Sequence, residues 1–383
     1  MQYRKFGKLD WQASVLGFGA MRLPQTSNNP TSVDRDESIR MIRYAIDHGV
    51  NYLDTAYPYH GGQSEVVLGL ALKNGYREKV KVATKLPSRH IQSLNDCDRY
   101  LDEQLERLQL NGIDFYLLHD LNKEFWPKLR DLGVLRWAET AIADGRVGHL
   151  GFSFHDNFPV FQEIIDTYDN WTLCQIQYNF MDGNYQAGTS GLSYAAKKGL
   201  AVVVMEPLRG GRLTKRPPQE IADLWTSSPV KRSPAEWGLL WVWNHPQVSV
   251  VLSGMSKMEQ VLENIAAAES ARPNMLGVED LALIDRVREA YNKRNPLPCT
   301  GCGYCQPCSN NVNIPRIFEL YNDAVMYDDA AIAQFMYCGP VGLKEGERAD
   351  SCIECGECVT ACPQNIDVPE WLKKAHSLLG PVK

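Results

Sequence analysis

Nine of the chain's 11 cysteines (Cys299, Cys302, Cys305, Cys308, Cys338, Cys352, Cys355, Cys358 and Cys362) fall within its last stretch, and only Cys97 and Cys174 precede them. Eight form two runs with two-residue gaps. Thiols at such gaps, in a chain without a secretion signal, point to metal or iron-sulfur ligation and away from disulfides. In Cys352-x2-Cys355-x2-Cys358-x3-Cys362-Pro363, three thiolates are spaced to hold one [4Fe-4S] cluster while the fourth reaches its neighbour. The first run, Cys299-x2-Cys302-x2-Cys305-x2-Cys308-Ser309, is one residue shorter at its last gap and lacks the proline. Two clusters are the leading reading, with one cluster or two four-cysteine zinc sites as alternatives. Structural zinc usually takes pairs of cysteines separated by a long loop. Cys97, Cys174 and Cys338 read as packing residues.

A second set of chemically capable residues lies upstream. Asp54 ends Asn51-Tyr-Leu-Asp, Tyr59 follows five residues later, Lys85 ends Val82-Ala-Thr-Lys, and His119 ends Tyr116-Leu-Leu-His. Each alone has an ordinary structural reading, as a helix cap, a packing ring or a surface charge. Together they make an acid-base set. A phenol with a pKa near ~10 is a weak acid at neutral pH, and an ammonium held beside it by a carboxylate lowers that value. Tyr59 is then the expected general acid, Lys85 and Asp54 tune it, and His119 orients a substrate carbonyl.

These residues need elements to hold them. Apolar runs at Leu16 to Met21, Val50 to Asp54, Val80 to Thr84, Phe115 to His119, Leu150 to Ser153, Leu173 to Tyr178, Ala201 to Met205 and Val248 to Leu252 read as strands. Amphipathic stretches such as Glu37 to Asp47, Asp96 to Leu108 and Leu132 to Ala143 separate them. Eight such units in ~280 residues predict a (β/α)8 TIM barrel, with a doubly wound open sheet as the alternative. In the barrel, Asp54, Lys85 and His119 end successive strands and converge on one mouth. The segment Gln2 to Gln12, with Gly7 in its middle, predicts a hairpin closing the floor. In the tail, Cys308-Ser-Asn-Asn-Val-Asn-Ile-Pro recurs 54 residues later as Cys362-Pro-Gln-Asn-Ile-Asp-Val-Pro, and both copies run into an amphipathic helix. The expected organisation is a barrel over 1–290 followed by a small, mainly α-helical iron-sulfur domain over 291–383.

The motif Gly49-Val-Asn-Tyr-Leu-Asp54-Thr-Ala-x-x-Tyr59, with Ala83-Thr-Lys85 and Leu118-His119, resembles the catalytic tetrad of the aldo-keto reductases. The resemblance continues in Gly148-His-Leu-Gly-Phe-Ser153, Gln175-Ile-Gln-Tyr-Asn179, Met205-Glu-Pro-Leu208 and Gly254-x5-Gln260-x3-Asn264. It implies that NADP(H) or NAD(H) is bound. Ser153 and Gln175 would hold the carboxamide, Met205 would lie against the nicotinamide ring, and Leu208 and Gly210 would line the pyrophosphate loop. Gly254, Gln260 and Asn264 would meet the adenosine half, with Met21 and Arg22 near the cofactor. Phe154 replaces the asparagine that commonly follows Ser153, and Ser256 stands where many members carry an arginine for the 2′-phosphate. Gly17-Phe-Gly19-Ala-Met21 lacks the third glycine of a dinucleotide fingerprint and reads as a strand-loop junction. The tail resembles a ferredoxin, and its long spacer is more similar to α-helical dicluster modules attached to redox enzymes than to the compact β-hairpin type.

The 383 residues are 44% hydrophobic and 22% charged, with 40 Lys plus Arg against 46 Asp plus Glu for a net charge of −6. This balance favours neither nucleic acid nor an anionic membrane surface. No apolar run approaches the ~20 residues of a membrane span, and the start has no leader-like stretch, so the expectation is a cytoplasmic protein. The expected partners are a small carbonyl or alcohol substrate and, through the clusters, an electron-transfer protein. The clusters are alternatively structural or oxygen-sensing, and a nucleotide-binding interaction protein with little turnover is a third reading. Tyr57, Phe125, Trp126, Phe180 and Trp225 are candidates for an apolar substrate pocket.

Overall fold

The computed structural model describes every residue except 28, 30, 300, 302, 341, 363, 382 and 383. An antiparallel pair comes first, β1 (Tyr3–Lys5) and β2 (Gln12–Ser14). Eight strands follow: β3 (Leu16–Gly19), β4 (Tyr52–Asp54), β5 (Lys81–Leu86), β6 (Ile113–Leu121), β7 (Val147–Phe154), β8 (Leu173–Gln177), β9 (Ala201–Met205) and β10 (Val248–Ser253). They close in chain order, with β10 pairing both β9 and β3, and every barrel pair is parallel. The expected barrel is the observed one.

The strands form where β-branched and aromatic residues cluster, and their burial on both faces explains why they read as continuous apolar runs. In β9 every residue from Ala201 to Val204 is buried. Between strands, helices begin at side chains that accept orphan N–H groups. Asp34 accepts from Glu37 N at 3.1 Å ahead of the helix Arg35–Asp47, and Asp96 accepts from Ser93 N at 2.9 Å ahead of Leu94–Leu108. The hairpin plugs the floor through Phe6, whose ring lies 4.8 Å from Phe115 and 5.7 Å from Tyr52. Gly7 makes the turn at φ +56°, and a Cβ there would fall 2.6 Å from the backbone N of Ala201, so only glycine fits.

The chain groups into two compact units. The first comprises Met1–Leu213 with Arg232–Leu281, and the second Thr214–Lys231 with Ala282–Lys383. The long segment after β9 thus contributes its middle, Thr214–Lys231, to the second unit. There Glu220 pairs with Arg294 at 2.7 Å, and Lys215 pairs with Asp329.

In the second unit the repeat is visible in structure. Asn313 and Asp367 sit 54 residues apart, and each accepts from the backbone three residues on, starting the helices Ile314–Met326 and Val368–Leu379 with proline in the first turn. The spacer holds the helix Ala331–Cys338. Ile317, Phe318, Tyr337, Leu372 and Leu379 form one buried core, so the two copies share it. Cys338 packs against this core, and Cys97 and Cys174 are buried.

Candidate active site and cysteine sites

At the carboxyl ends of β4 and β5, the Lys85 Nζ donates to Asp54 Oδ1 at 2.6 Å and to the Thr55 carbonyl at 2.7 Å. The pair is almost sealed, at 1% and 3% exposure. The register that places Asp54 beside Ala83, two residues before Lys85, brings the two charges together. Lys85 Nζ lies 5.0 Å from the centroid of the Tyr59 ring. Tyr59 opens a short 3-10 turn after β4, and its ring meets that of His119 edge-on, with centroids 6.0 Å apart. All four residues expected to act together therefore share one mouth.

Their charge states follow from burial and neighbours. Burial alone would lower the Lys85 ammonium, but Asp54 and Tyr59 together leave it above its ordinary value, so it is charged. Burial raises the Asp54 carboxyl, and the Lys85 charge opposes that rise. Tyr59 departs from expectation: burial raises the phenol above its usual range, and the opposing pull of Lys85 does not reverse it. Desolvation outweighs one neighbouring cation. Tyr59 consequently holds its proton at neutral pH. His119 is pushed well below its ordinary value, first by burial and then by Lys85, His155 and Arg89, so its imidazole is neutral.

A polar network that sequence reading missed lies behind this set. Glu65, fully buried on the helix Gln63–Ala71, accepts from Thr84 Oγ1 at 2.7 Å, Gln104 Nε2 at 2.6 Å and Arg107 at 3.2 Å. Gln104 also donates to the Lys85 carbonyl at 3.1 Å and accepts from the Tyr116 hydroxyl at 2.7 Å. Arg107 donates to the Tyr57 carbonyl at 3.3 Å. One buried anion thus braces both the strand carrying Lys85 and the turn carrying Tyr59. The available signal was a glutamate facing an otherwise apolar helix side, with Gln104 and Arg107 at i, i+3 on another helix.

The expected cofactor residues fall into three groups. Ser153 and Gln175 are register partners on β7 and β8 and both are buried. Ser153 Oγ accepts from Asp120 N at 2.8 Å, whereas Gln175 Oε1 is buried without a partner among the described residues. Met205 ends β9 opposite Gln177, and Leu208 lies just beyond it. Arg22 runs past two glycines: a Cβ on Gly254 would lie 3.3 Å from its aliphatic stem, and one on Gly210 would lie 3.4 Å from its guanidinium. Met21 beside it is exposed. Gln260 and Asn264 tie their helix, Met258–Ser270, to the loop and strand before it. Gln260 Oε1 accepts from Ser256 N at 2.8 Å, and Asn264 Nδ2 donates to Ser253 Oγ at 3.0 Å.

The expected aromatic pocket is not formed by its candidates. Trp126 and Phe180 are core residues, Phe125 is nearly buried, and Trp225 belongs to the second unit. Tyr57 is half-buried, with its hydroxyl donating to Glu103 at 2.8 Å. The mouth instead presents polar groups. Asp120, at φ +58°, directly follows His119, and His155 follows β7.

In the second unit, Cys299, Cys305 and Cys362 line one small cavity with Ile314, Phe318, Ile366 and Val368. The last cysteine of the second run therefore joins the first run. Burial raises the Cys358 thiol, and Cys352, Cys355 and Cys308 lie near enough to raise it further. Ser309 Oγ, beside Cys308, is 3.9 Å from Cys355 Sγ. Cys302 is outside the described residues. Among the described residues no three potential ligands lie close enough together to hold a single metal ion.

A parallel eight-stranded barrel with a buried lysine-aspartate pair, a tyrosine and a histidine at its carboxyl mouth defines a barrel oxidoreductase. Residues 15–287 match the aldo/keto reductase family, and the chain belongs to that family. Residues 298–366 match a 4Fe-4S dicluster domain. The chain is 26% identical to an L-galactose dehydrogenase of Arabidopsis thaliana, over 76% of this chain and 95% of that protein. It is also 26% identical to a 6-dehydroglucose reductase of Novosphingobium aromaticivorans, over 69% and 90%. Among solved structures, the holo form of an aldo-keto reductase from Bacillus halodurans superposes with a TM-score of 0.63 at 27% identity, covering 75% of this chain and 96% of that one. An aldo/keto reductase from Klebsiella pneumoniae in complex with NADP and acetate gives 0.61 at 25% identity, covering 75% and 95%. Among the described residues no helix is long and apolar enough to cross a membrane.

Proposed function

We propose that the barrel interconverts a small carbonyl compound and its alcohol with NADP(H) or NAD(H), Tyr59 acting as the proton donor. The observation that carries this reading is the sealed Lys85–Asp54 pair beside Tyr59 and His119. The nicotinamide, when bound, supplies or accepts the hydride. Tyr59 gives its hydroxyl proton to the carbonyl oxygen, and Lys85, kept charged by Asp54, stabilises the phenolate left behind. Neutral His119 offers an N–H to the same oxygen and adds no competing acid. In the oxidative direction the Tyr59 phenolate takes the proton back. Ser153 and Gln175 Oε1, which has no partner among the described residues, suit a carboxamide. Met205, Leu208, Gly210, Gly254, Gln260 and Asn264 would line the rest of the cofactor, with Met21 and Arg22 beside it, and the NADP-bound relative favours the phosphorylated form.

The same reading assigns two [4Fe-4S] clusters to the tail. Cys299, Cys302, Cys305 and Cys362 would hold one, and Cys308, Cys352, Cys355 and Cys358 the other, supporting one-electron exchange with a partner protein. The cysteine-lined cavity supports the first set.

The test of the barrel is Tyr59→Phe. Carbonyl reduction should fall by about 10²-fold or more while nucleotide affinity stays within about twofold, since the hydroxyl acts on the proton and not on cofactor binding. Retained turnover would overturn the assignment.

A further inference from the structure

The two halves of the tail's repeat share a motif but not a surface. From 295 to 315, around the first cysteine run, the chain has no charged residue. From 344 to 357, leading into the second run, it carries Glu345, Glu347, Asp350, Glu354 and Glu357 against Lys344 and Arg348. Arg348 does not offset this at the surface, because its guanidinium donates inward to the carbonyls of Tyr337, Leu343 and Cys338. Glu345, Asp350, Glu354 and Glu357 are exposed, Glu354 being paired with Lys373 at 2.8 Å, and Ser351 Oγ, donating to the Glu345 carbonyl at 3.2 Å, ties the acidic turn to the second run.

The thiols differ in the same sense. Cys299, Cys305 and Cys362 are partly buried and line one small cavity, whereas Cys355 is the one exposed cysteine among the described residues. Two residues before it in the chain, Ile353 is 64% exposed, an apolar side chain in an otherwise mostly acidic stretch. Tyr304 in the first run is also exposed, but no charge surrounds it in the chain.

We infer that electrons leave the tail through the second-run cluster at Cys355, across a face that carries Ile353 and the exposed carboxylates Glu345, Asp350 and Glu357, to a one-electron redox protein with a basic face. Transfer falls off steeply with distance, so the exposed ligand is the shortest way out. An exposed apolar side chain sheds water on contact, and exposed carboxylates steer a cationic partner while keeping the encounter transient. One electron passes from the reduced cluster to the oxidised partner, the cluster returns to its oxidised state, and no bond or proton moves. The inference rests on the two-cluster reading above.

The experiment uses the full-length, iron-replete protein, reduced anaerobically with dithionite and characterised by iron, sulfide and EPR. It is then mixed by stopped flow with ferric cytochrome c, a lysine-rich one-electron acceptor. Raising ionic strength from about 20 to about 500 mM should slow reduction about tenfold or more. Glu345→Lys with Asp350→Lys and Glu357→Lys should slow it at low salt and abolish or invert the salt dependence. Iron content and the rate toward a small neutral quinone should stay within about twofold of the parent, which separates lost docking from a damaged cluster. Asp350→Lys alone gives the same sign if the triple variant loads iron poorly. Tyr304→Ser should change nothing. Unchanged cytochrome reduction in the acidic-face variants, or a larger loss in Tyr304→Ser, overturns the assigned face. A parent protein without a reducible cluster overturns the cluster reading itself, and this inference with it.

Discussion

The proton held on Tyr59 and the proton missing from His119 are both consequences of burial at one mouth, and they have opposite signs. For the phenol, desolvation keeps the acid protonated; for the imidazole, it keeps the base neutral. The second effect is measurable as stability. An unfolded imidazole titrates near ~6.5, while His119 in the fold titrates well below that value. As pH falls through about 6.5 the unfolded chain takes up a proton that the native state refuses, so this contribution is present above about 6.5 and lost toward the folded pKa. Burial lowers His149 and His245 in the same direction. Urea unfolding of the parent should therefore weaken between about pH 7 and pH 5.5, and His119→Asn should remove up to one proton's share of the slope, about 1.4 kcal/mol per pH unit. Identical slopes would show that His119 is not held neutral.

Among the elements, all eight barrel strands were legible because each is a local event: a short apolar run bounded by turn signals. The observed β9, Ala201–Met205, coincides with its expected span, while β6 runs longer at both ends than Phe115 to His119. The Glu65 network was not legible. Its members touch across 19 residues for Thr84, 39 for Gln104 and 42 for Arg107, and no local pattern encodes which helix faces which. The aromatic candidates failed for a related reason, since composition marks a ring as apolar without saying whether a pocket or the core receives it. Tyr59's pKa failed because the cation was visible in sequence and the desolvation was not. Two substitutions test how elements hold the site. Glu65→Gln keeps the shape but removes a charge that accepts from Arg107, and should cost about 1–3 kcal/mol, seen as a lower melting temperature. Gly69→Ala should destabilise through backbone alone. A Cβ there would lie 2.5 Å from the Leu108 carbonyl, so the helices Gln63–Ala71 and Leu94–Leu108 would have to part, at about 1–3 kcal/mol. An unchanged melting temperature in either variant would refute the corresponding contact.

At the scale of the molecule, the two compact units have different reasons to be folded. The barrel closes its own sheet and plugs its own floor, with a core that needs no ligand. The tail has a shared but small core, and three of its described cysteines face a small cavity. Ligation of buried thiolates is folding free energy wherever an unfilled site would leave a void and unneutralised thiolates. The pairing of Cys362 with Cys299 and Cys305 crosses the repeat, so one ligand ties the second copy to the first. Cys362→Ser should then lower iron and sulfide by close to one whole cluster, with the EPR signal of the other retained. Loss confined to a single iron, or none, would refute the cross-link. Removing iron altogether should split thermal unfolding into two transitions. The lower belongs to the tail and moves down with iron loss. The upper, reported by nucleotide binding, stays in place because nothing in the barrel core depends on a thiolate.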